Sequence, residues 1–83
     1  MKWKEKNNRL NLEVNFNSQT ELVEFMLEVA KLSDEVNHHP DFKVTKCSHL
    51  EIELYSHEQK GITPLDFLLA DKIDALVNQL GRN

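Results

Sequence analysis

The chain has 83 residues, of which 40% are hydrophobic and 29% are charged, and its formal net charge at pH 7 is −4. This length suffices for one hydrophobic core, so we expect a single domain over residues 1–83. The acidic balance argues against a nucleic-acid partner, which requires clustered Lys and Arg, and no apolar run approaches the roughly 18 residues that cross a membrane.

The first two elements in chain order are predicted strands. Residues 2–6 favour a short strand, and the Asn7-Asn8 pair that follows is typical of a turn. Residues 9–16 alternate apolar and polar side chains, which predicts a strand with one buried face. The apolar side chains of this strand are Leu10, Leu12, Val14 and Phe16.

A long helix is predicted over residues 19–36. Ser18 begins the capping box SQTE, which marks a helix start. Apolar side chains then recur every three or four residues and so share one face: Leu22, Phe25, Met26, Val29, Leu32 and Val36. Pro40 disfavours helical geometry in the residue before it, so we expect the helix to end near Asn37 or His38.

The second half of the chain repeats this order. Phe42 and Val44 begin a second strand region, and residues 49–57 (HLEIELYSH) alternate again. Gly61 interrupts the chain before the last helix, and Gly81 is expected to end that helix. Its apolar stripe is Leu65, Leu69, Ile73, Leu76 and Leu80.

The start of the last helix has its own signature. Thr63 is the predicted N-cap, Pro64 occupies the first helical position and Asp66 the third. Because every predicted strand has one apolar face and both helices have one apolar stripe, we predict an α+β fold. In this fold an antiparallel sheet of about four strands has two long helices packed on one face, and its other face is polar.

The four histidines, His38, His39, His49 and His57, are close together in the sequence, and three explanations compete. They can be exposed polar residues, since a helix C-terminus favours an imidazolium. They can bind a metal, although adjacent histidines are poorly arranged for one ion and Cys47 has no cysteine partner. They can transfer protons, because histidine titrates near neutral pH and acid–base catalysis often uses two such groups.

The predicted topology allows some of these side chains to meet. His38 and His39 end a helix, His57 ends a strand of the sheet that this helix covers, and Asp66 begins the next helix. A pocket at that rim could hold all four side chains, although a carboxylate at the third helical position also has a purely structural explanation. His49 is expected to be an exposed residue at a strand start.

These residues together resemble the pterin-4a-carbinolamine dehydratase family, also called 4a-hydroxytetrahydrobiopterin dehydratases. The family motif is an acidic or polar residue, three residues, His, His or Asn, then Pro, Cys or Ser, followed by an aromatic residue, His or Trp, and Asp. The matching positions are Asp34, His38, His39, Pro40, His57 and Asp66. The segments HEQKGITPLDFLLADKID and LNLEVNFNSQTELVEFMLEVAKLSDEVNHHP are also similar, so the resemblance extends from Trp3 to about Leu80.

The resemblance implies a hydro-lyase that converts 4a-hydroxytetrahydropterin to quinonoid dihydropterin without a metal or other cofactor, in tetrahydrobiopterin metabolism. It implies acid–base roles for His38 and His57, while His39 takes part in the site by binding and orienting the pterin. It implies that Asp66 contacts a histidine or the pterin, and that Asp34 supports the site.

The sequence departs from the family in two places. Cys47 occupies the aromatic position of the motif, where it is a candidate contact for the flat pterin ring. As the single cysteine it cannot form an internal disulfide, so we expect a cytoplasmic protein. Family members usually carry a helical segment before the tryptophan that corresponds to Trp3, so the domain is expected to lack that segment.

The resemblance also implies partners. A homodimer joined through strand edges, or a tetramer built from two dimers, is expected in this family. Some relatives are dimerisation partners of other proteins or assist the assembly of a large enzyme. The alternative to catalysis is therefore a pterin-binding or protein-assembly module on the same fold.

Overall fold

The computed structural model describes residues 2–80, and the elements follow the predicted order of two strands, a helix, two strands and a helix. The strands are β1 (Lys4–Lys6), β2 (Arg9–Asn15), β3 (Asp41–Thr45) and β4 (His49–Leu54), and the helices are α1 (Gln19–Val36) and α2 (Pro64–Gln79). The predicted α+β class is confirmed. Gly81, the predicted stop of α2, lies outside the described residues.

All four strands form one antiparallel sheet in the order β1-β2-β4-β3. The two central strands pair so that Leu12 lies opposite Ile52 and Val14 opposite Leu50, which puts their apolar side chains on one face. Within residues 2–80 these side chains form one core with the apolar face of α1 and with Leu69, Ala70, Ile73 and Val77 of α2. Leu65 and Leu80, which were predicted to belong to the α2 stripe, are exposed instead. The sheet therefore has one face covered by helices and one polar face, as predicted.

Helix α1 begins and ends with its own capping contacts. The backbone N–H of Glu21 donates to Ser18 Oγ at 3.1 Å, and the Glu21 side chain accepts from the backbone N–H of Asn17. At the other end Asn37 adopts a left-handed conformation (φ 53°), and its backbone N–H donates to the Asp34 carbonyl in the last turn of the helix. The helix therefore ends where Pro40 predicted, and the chain turns directly into His38.

Strand β4 is shorter than the sequence pattern predicted, because it ends at Leu54 rather than at residue 57. Ser56 and Gly61 form an isolated bridge, in which Ser56 N–H donates to the Gly61 carbonyl at 2.9 Å. The residues between them make a turn, so His57 lies on a loop just beyond the sheet.

Helix α2 is tied to the N-terminal part of the chain. Trp3 Nε1 donates to Asp74 Oδ1 at 2.9 Å, and the indole packs against the core. Burial raises the pKa of Asp74 above its ordinary value, although the Trp3 hydrogen bond acts in the opposite direction. In the described part of the chain, neither helix is long and apolar enough to cross a membrane.

Candidate active site

A fully buried carboxylate lies at the start of α2. Asp66 Oδ2 accepts hydrogen bonds from Ser56 Oγ at 2.8 Å and from Thr63, through its backbone N–H at 2.8 Å and its hydroxyl at 3.2 Å. Asp66 Oδ1 lies 2.5 Å from Nε2 of His38. A buried carboxylate without such partners would be strongly destabilising, so this network explains why the site tolerates the charge.

The same network fixes the protonation state of Asp66. Burial on its own raises the pKa of this carboxyl group, but hydrogen bonds from His38, Thr63 and Ser56 and the charge of His38 together hold the pKa below its ordinary value of 3.8. Asp66 is therefore ionised at neutral pH and can only accept hydrogen bonds. It follows that Nε2 of His38 carries a proton.

His38 is held from two sides. Its backbone N–H donates to the Ser33 carbonyl at 3.1 Å, and its side chain, 14% exposed, bonds Asp66. Within residues 2–80, the side-chain hydrogen bonds of His38 run through Nε2 alone. Nδ1 is therefore the atom of this ring that remains to exchange a proton with a ligand.

An open cleft of about 770 Å³ lies beside this pair, a volume within the usual range of small-molecule sites. It is bounded by the end of α1, the loop after β4 and the first turn of α2. Its lining residues are Asn37, His38, His39, Tyr55, Ser56, His57, Glu58, Gln59, Thr63, Pro64 and Leu65. The structure thus brings together three of the four histidines.

His57 and His39 differ in how they are held. His57 is exposed and packs edge-on against Tyr55, with 4.9 Å between ring centroids and 83° between ring planes. His39 Nε2 lies 2.8 Å from Oδ1 of Asp34 in an exposed pair. Such a pair contributes little stability, so its effect is to orient the ring of His39.

Cys47 is not brought to this cleft. It lies exposed in the turn between β3 and β4, before the first residue of β4, whereas His57 follows the other end of that strand. Six residues of strand span roughly 20 Å. Within one chain Cys47 therefore cannot touch a ligand held between His38 and His57.

His49 lies on the polar face of the sheet, away from the cleft. Its Nδ1 is 2.7 Å from Asn15 Oδ1 and its Nε2 is 2.9 Å from Glu13 Oε1. Among residues 2–80, no group of three or more His, Cys, Asp or Glu side chains is arranged to hold a metal ion.

Two residues of the site were missed by the sequence analysis. Ser56 continues the apolar alternation of β4 after Leu54, so a polar residue on the buried face was the available signal. Tyr55 had no such signal, because its contact with His57 depends on the loop that follows the strand.

Three imidazoles line an open cleft, and one of them, that of His38, is bonded to a buried, ionised carboxylate. These features define a small α+β protein with a candidate acid–base site. Comparison with known proteins identifies its family: the chain matches the family model described as pterin 4 alpha carbinolamine dehydratase over residues 1–76. The chain belongs to this family.

Proteins of similar sequence carry the name of the same family. The chain is 36% identical to a Sulfolobus acidocaldarius protein over 89% of its own length and 80% of the relative's. It is 44% identical to a Herpetosiphon aurantiacus protein over 65% of its own length, a match that spans only about half of that relative (55%). Both relatives are named only provisionally as pterin-4-alpha-carbinolamine dehydratases.

Two solved structures share the fold. A transcriptional coactivator/pterin dehydratase from Brucella melitensis superposes with a TM-score of 0.83 at 22% identity, over 89% of this chain and 80% of that one. A pterin dehydratase-like protein identified as a RuBisCO assembly factor in the alpha-carboxysome superposes with a TM-score of 0.70 at 23% identity, over 89% and 84%. At these identities the likeness establishes the fold alone.

Proposed function

We propose that this protein dehydrates a 4a-hydroxytetrahydropterin to quinonoid dihydropterin. The observation that carries the proposal is that His38, held by the buried Asp66, lines the same cleft as His57. Family membership supplies the substrate class, and the geometry supplies two imidazoles that belong to distant parts of the chain. We also place the protein in the cytoplasm, where it would return pterin to aromatic amino acid hydroxylases.

The reaction needs one proton given and one taken. The hydroxyl on the ring-bridging carbon leaves as water after it gains a proton, and the neighbouring ring nitrogen loses a proton as the new carbon–nitrogen double bond forms. In the proposed site His57 donates the first proton and His38 accepts the second through Nδ1. His39, oriented by Asp34, binds the pterin at the rim of the cleft.

The role of Asp66 follows from its hydrogen bond to His38. Asp66 fixes the tautomer and orientation of His38 and compensates the positive charge that the ring gains on accepting a proton, as the carboxylate does in hydrolase triads. Cys47 has no part in this cleft within one chain, so its predicted contact with the pterin is not included in the proposal.

Binding of dihydropterin is the first expected result. A protein that binds the ligand only when folded is stabilised in proportion to the logarithm of ligand concentration, by about 2.7 kcal/mol at a hundredfold excess over Kd. Thermal unfolding measured over a series of dihydropterin concentrations should therefore show a steadily rising midpoint. A variant with Ala in place of both His38 and His39 should show a smaller rise.

The second candidate function is that of an assembly module, and a surface feature favours it. Several large apolar side chains on the helices are exposed: Val23, Leu27, Leu65, Phe67 and Leu68. Protein-binding surfaces use contiguous apolar side chains, and Val23 and Leu27, like Leu65 and Leu68, are spaced to share one face of their helix. If dihydropterin leaves the unfolding midpoint unchanged while a defined protein partner is captured, this second function replaces the dehydratase.

Self-association through β3 is proposed as well. Strand β3 is an edge of the sheet, and Val44 lies opposite Leu50 on the helix-covered face, yet it is 42% exposed. The other edge, β1, is only three residues long and carries Lys4 and Lys6, which protect an edge from pairing. The β3 edges of two copies could therefore pair and cover the Val44 side chains.

Sedimentation at micromolar concentration should give a species that is a multiple of the 9.7 kDa chain mass. Val44→Lys should shift it toward the monomer, because a charge would be buried at the paired edge. The matched variant Leu68→Lys, at an exposed apolar position of α2, tests the helical surface. Dissociation by Leu68→Lys but not by Val44→Lys would show that the strand edge is not the interface.

A further inference from the structure

The loop that carries His57 is in contact with the turn between β1 and β2. Asn8, in that turn, donates from Nδ2 to the Lys60 carbonyl at 2.9 Å. Gly61 lies so close that a Cβ on it would be 3.0 Å from the same nitrogen. The turn and the loop are therefore packed together, and a side chain at position 61 would press on the Asn8 amide that joins them.

A second set of contacts runs from Arg9, the first residue of β2, through the Tyr55 ring to the ring of His57. The guanidinium carbon of Arg9 lies 4.0 Å from the centroid of the Tyr55 ring, and Arg9 Nη1 donates to Glu53 at 2.9 Å. The Tyr55 ring in turn packs against His57 in an edge-on geometry. Cation–π and edge-on aromatic contacts are both directional, so they restrict where the imidazole can lie.

His57 needs such support more than His38 does. His38 is mostly buried and its ring is fixed by Asp66, whereas His57 is exposed and, within residues 2–80, no hydrogen bond reaches its ring. An exposed imidazole without a partner changes rotamer freely, yet proton transfer requires it to stay within hydrogen-bond reach of the ligand. Packing from Tyr55 takes the place of the missing hydrogen bond.

Resting on the proposed dehydration, we infer that Asn8, Arg9 and Tyr55 are positioning residues that hold His57 over the cleft. Asn8 fixes the loop, Arg9 fixes the Tyr55 ring, and Tyr55 fixes the imidazole. None of the three belongs to the sequence motif that identified the site. The β1–β2 turn and the first residue of β2 thus act on the reaction from outside the cleft.

Kinetics separates positioning from binding. Tyr55→Leu should lower kcat by about 10- to 100-fold with little change in KM, because a misplaced acid–base group loses rate rather than affinity. Tyr55→Phe keeps the ring and should retain most of the rate. An increase in KM with kcat unchanged in Tyr55→Leu would instead make Tyr55 a substrate contact and overturn the inference.

The turn offers a matched pair of variants. Asn7 and Asn8 both have positive φ, 54° and 61°, so glycine is tolerated in the backbone at either position. Asn8→Gly removes the contact with the loop and should lower kcat, whereas Asn7→Gly should not. Combined with His57→Ala, neither Asn8→Gly nor Tyr55→Leu should lower the rate further, since each acts through His57. Additional losses in that background would contradict the inference.

A measurement without substrate separates this inference from the proposed function. In NMR spectra of the unliganded protein, the nuclear Overhauser effect between the Tyr55 and His57 rings should weaken in Asn8→Gly and persist in Asn7→Gly. If it weakens but the unaltered protein dehydrates no pterin, the positioning holds and the dehydratase proposal falls. If it is the same in both variants, the turn does not position His57, whatever the activity.

Discussion

Replacing His38 with Ala should lower the rate of pterin dehydration by about 10²–10⁴-fold, and His57→Ala should do the same, because single acid–base groups contribute that much. Both rings line the same cleft, and each makes one of the two proton transfers. A water molecule that took the place of either ring would not be held in position to make that transfer. His39→Ala should act mainly on KM, since His39 is an exposed residue at the rim of the cleft.

His49→Ala is the matched control for these variants. Its ring bonds Asn15 and Glu13 on the polar face of the sheet, remote from the cleft, so the rate should stay within about a factor of two of that of the unaltered protein. Stopped-flow measurement of dehydration on chemically generated carbinolamine gives all the rates. Unchanged rates in both His38→Ala and His57→Ala would remove the catalytic assignment.

Asp66→Asn should cause the second large loss, by reversing the tautomer of His38. The new amide has one oxygen, and three donors from Ser56 and Thr63 require it. Its NH₂ group would then face Nε2 of His38, which must become an acceptor and leave the ring proton on Nδ1. Because Nδ1 could no longer accept a proton, the rate should fall by about 10²–10⁴-fold with the fold intact.

The same variant should change stability and its dependence on pH. At pH 7 the loss of a charged, fully bonded acceptor should cost about 1–3 kcal/mol of unfolding free energy. The pKa of Asp66 is lower in the folded protein than its ordinary value of 3.8, so the folded state binds fewer protons. Its contribution is therefore complete above about pH 5 and is lost as the pH falls through 3.8 toward the lower folded value.

Urea unfolding at neutral pH and near pH 3 measures this difference. The gap in unfolding free energy between the unaltered protein and Asp66→Asn should narrow at the lower pH. Asp71→Asn, an exposed position in the same helix, should leave the rate unchanged. A gap that is as wide near pH 3 as at pH 7 would show that the ionised carboxylate is not what stabilises this site.

Most of the fold was predictable because its signals are local. Alternation in residues 9–16, the Ser18 cap and the end of α1 before Pro40 each depend on neighbouring residues, and each appears in the structure. The end of β4 was not predictable in this way. It depends on the bridge between Ser56 and Gly61, which turns the chain while the alternation still continues.

The candidate site was predictable in composition but not in its contacts. The motif named His38, His57 and Asp66, whereas their arrangement depends on where α1 ends and where α2 begins. Spacing in the sequence did not predict the place of Cys47. It occupies a position of the motif, yet it lies in the turn before β4, whereas the cleft lies beyond the other end of β4. Tyr55 acts through the contact of its ring with His57, which depends on the fold of the loop after β4.

The most direct test of the account compares rates across His38→Ala, Asp66→Asn and the variant that carries both. If Asp66 acts only by holding His38, its effect disappears once the imidazole is gone, so the double variant should be about as slow as His38→Ala alone. Should the two losses multiply instead, Asp66 and His38 would act separately, and the bonded pair would not be the group that moves the proton.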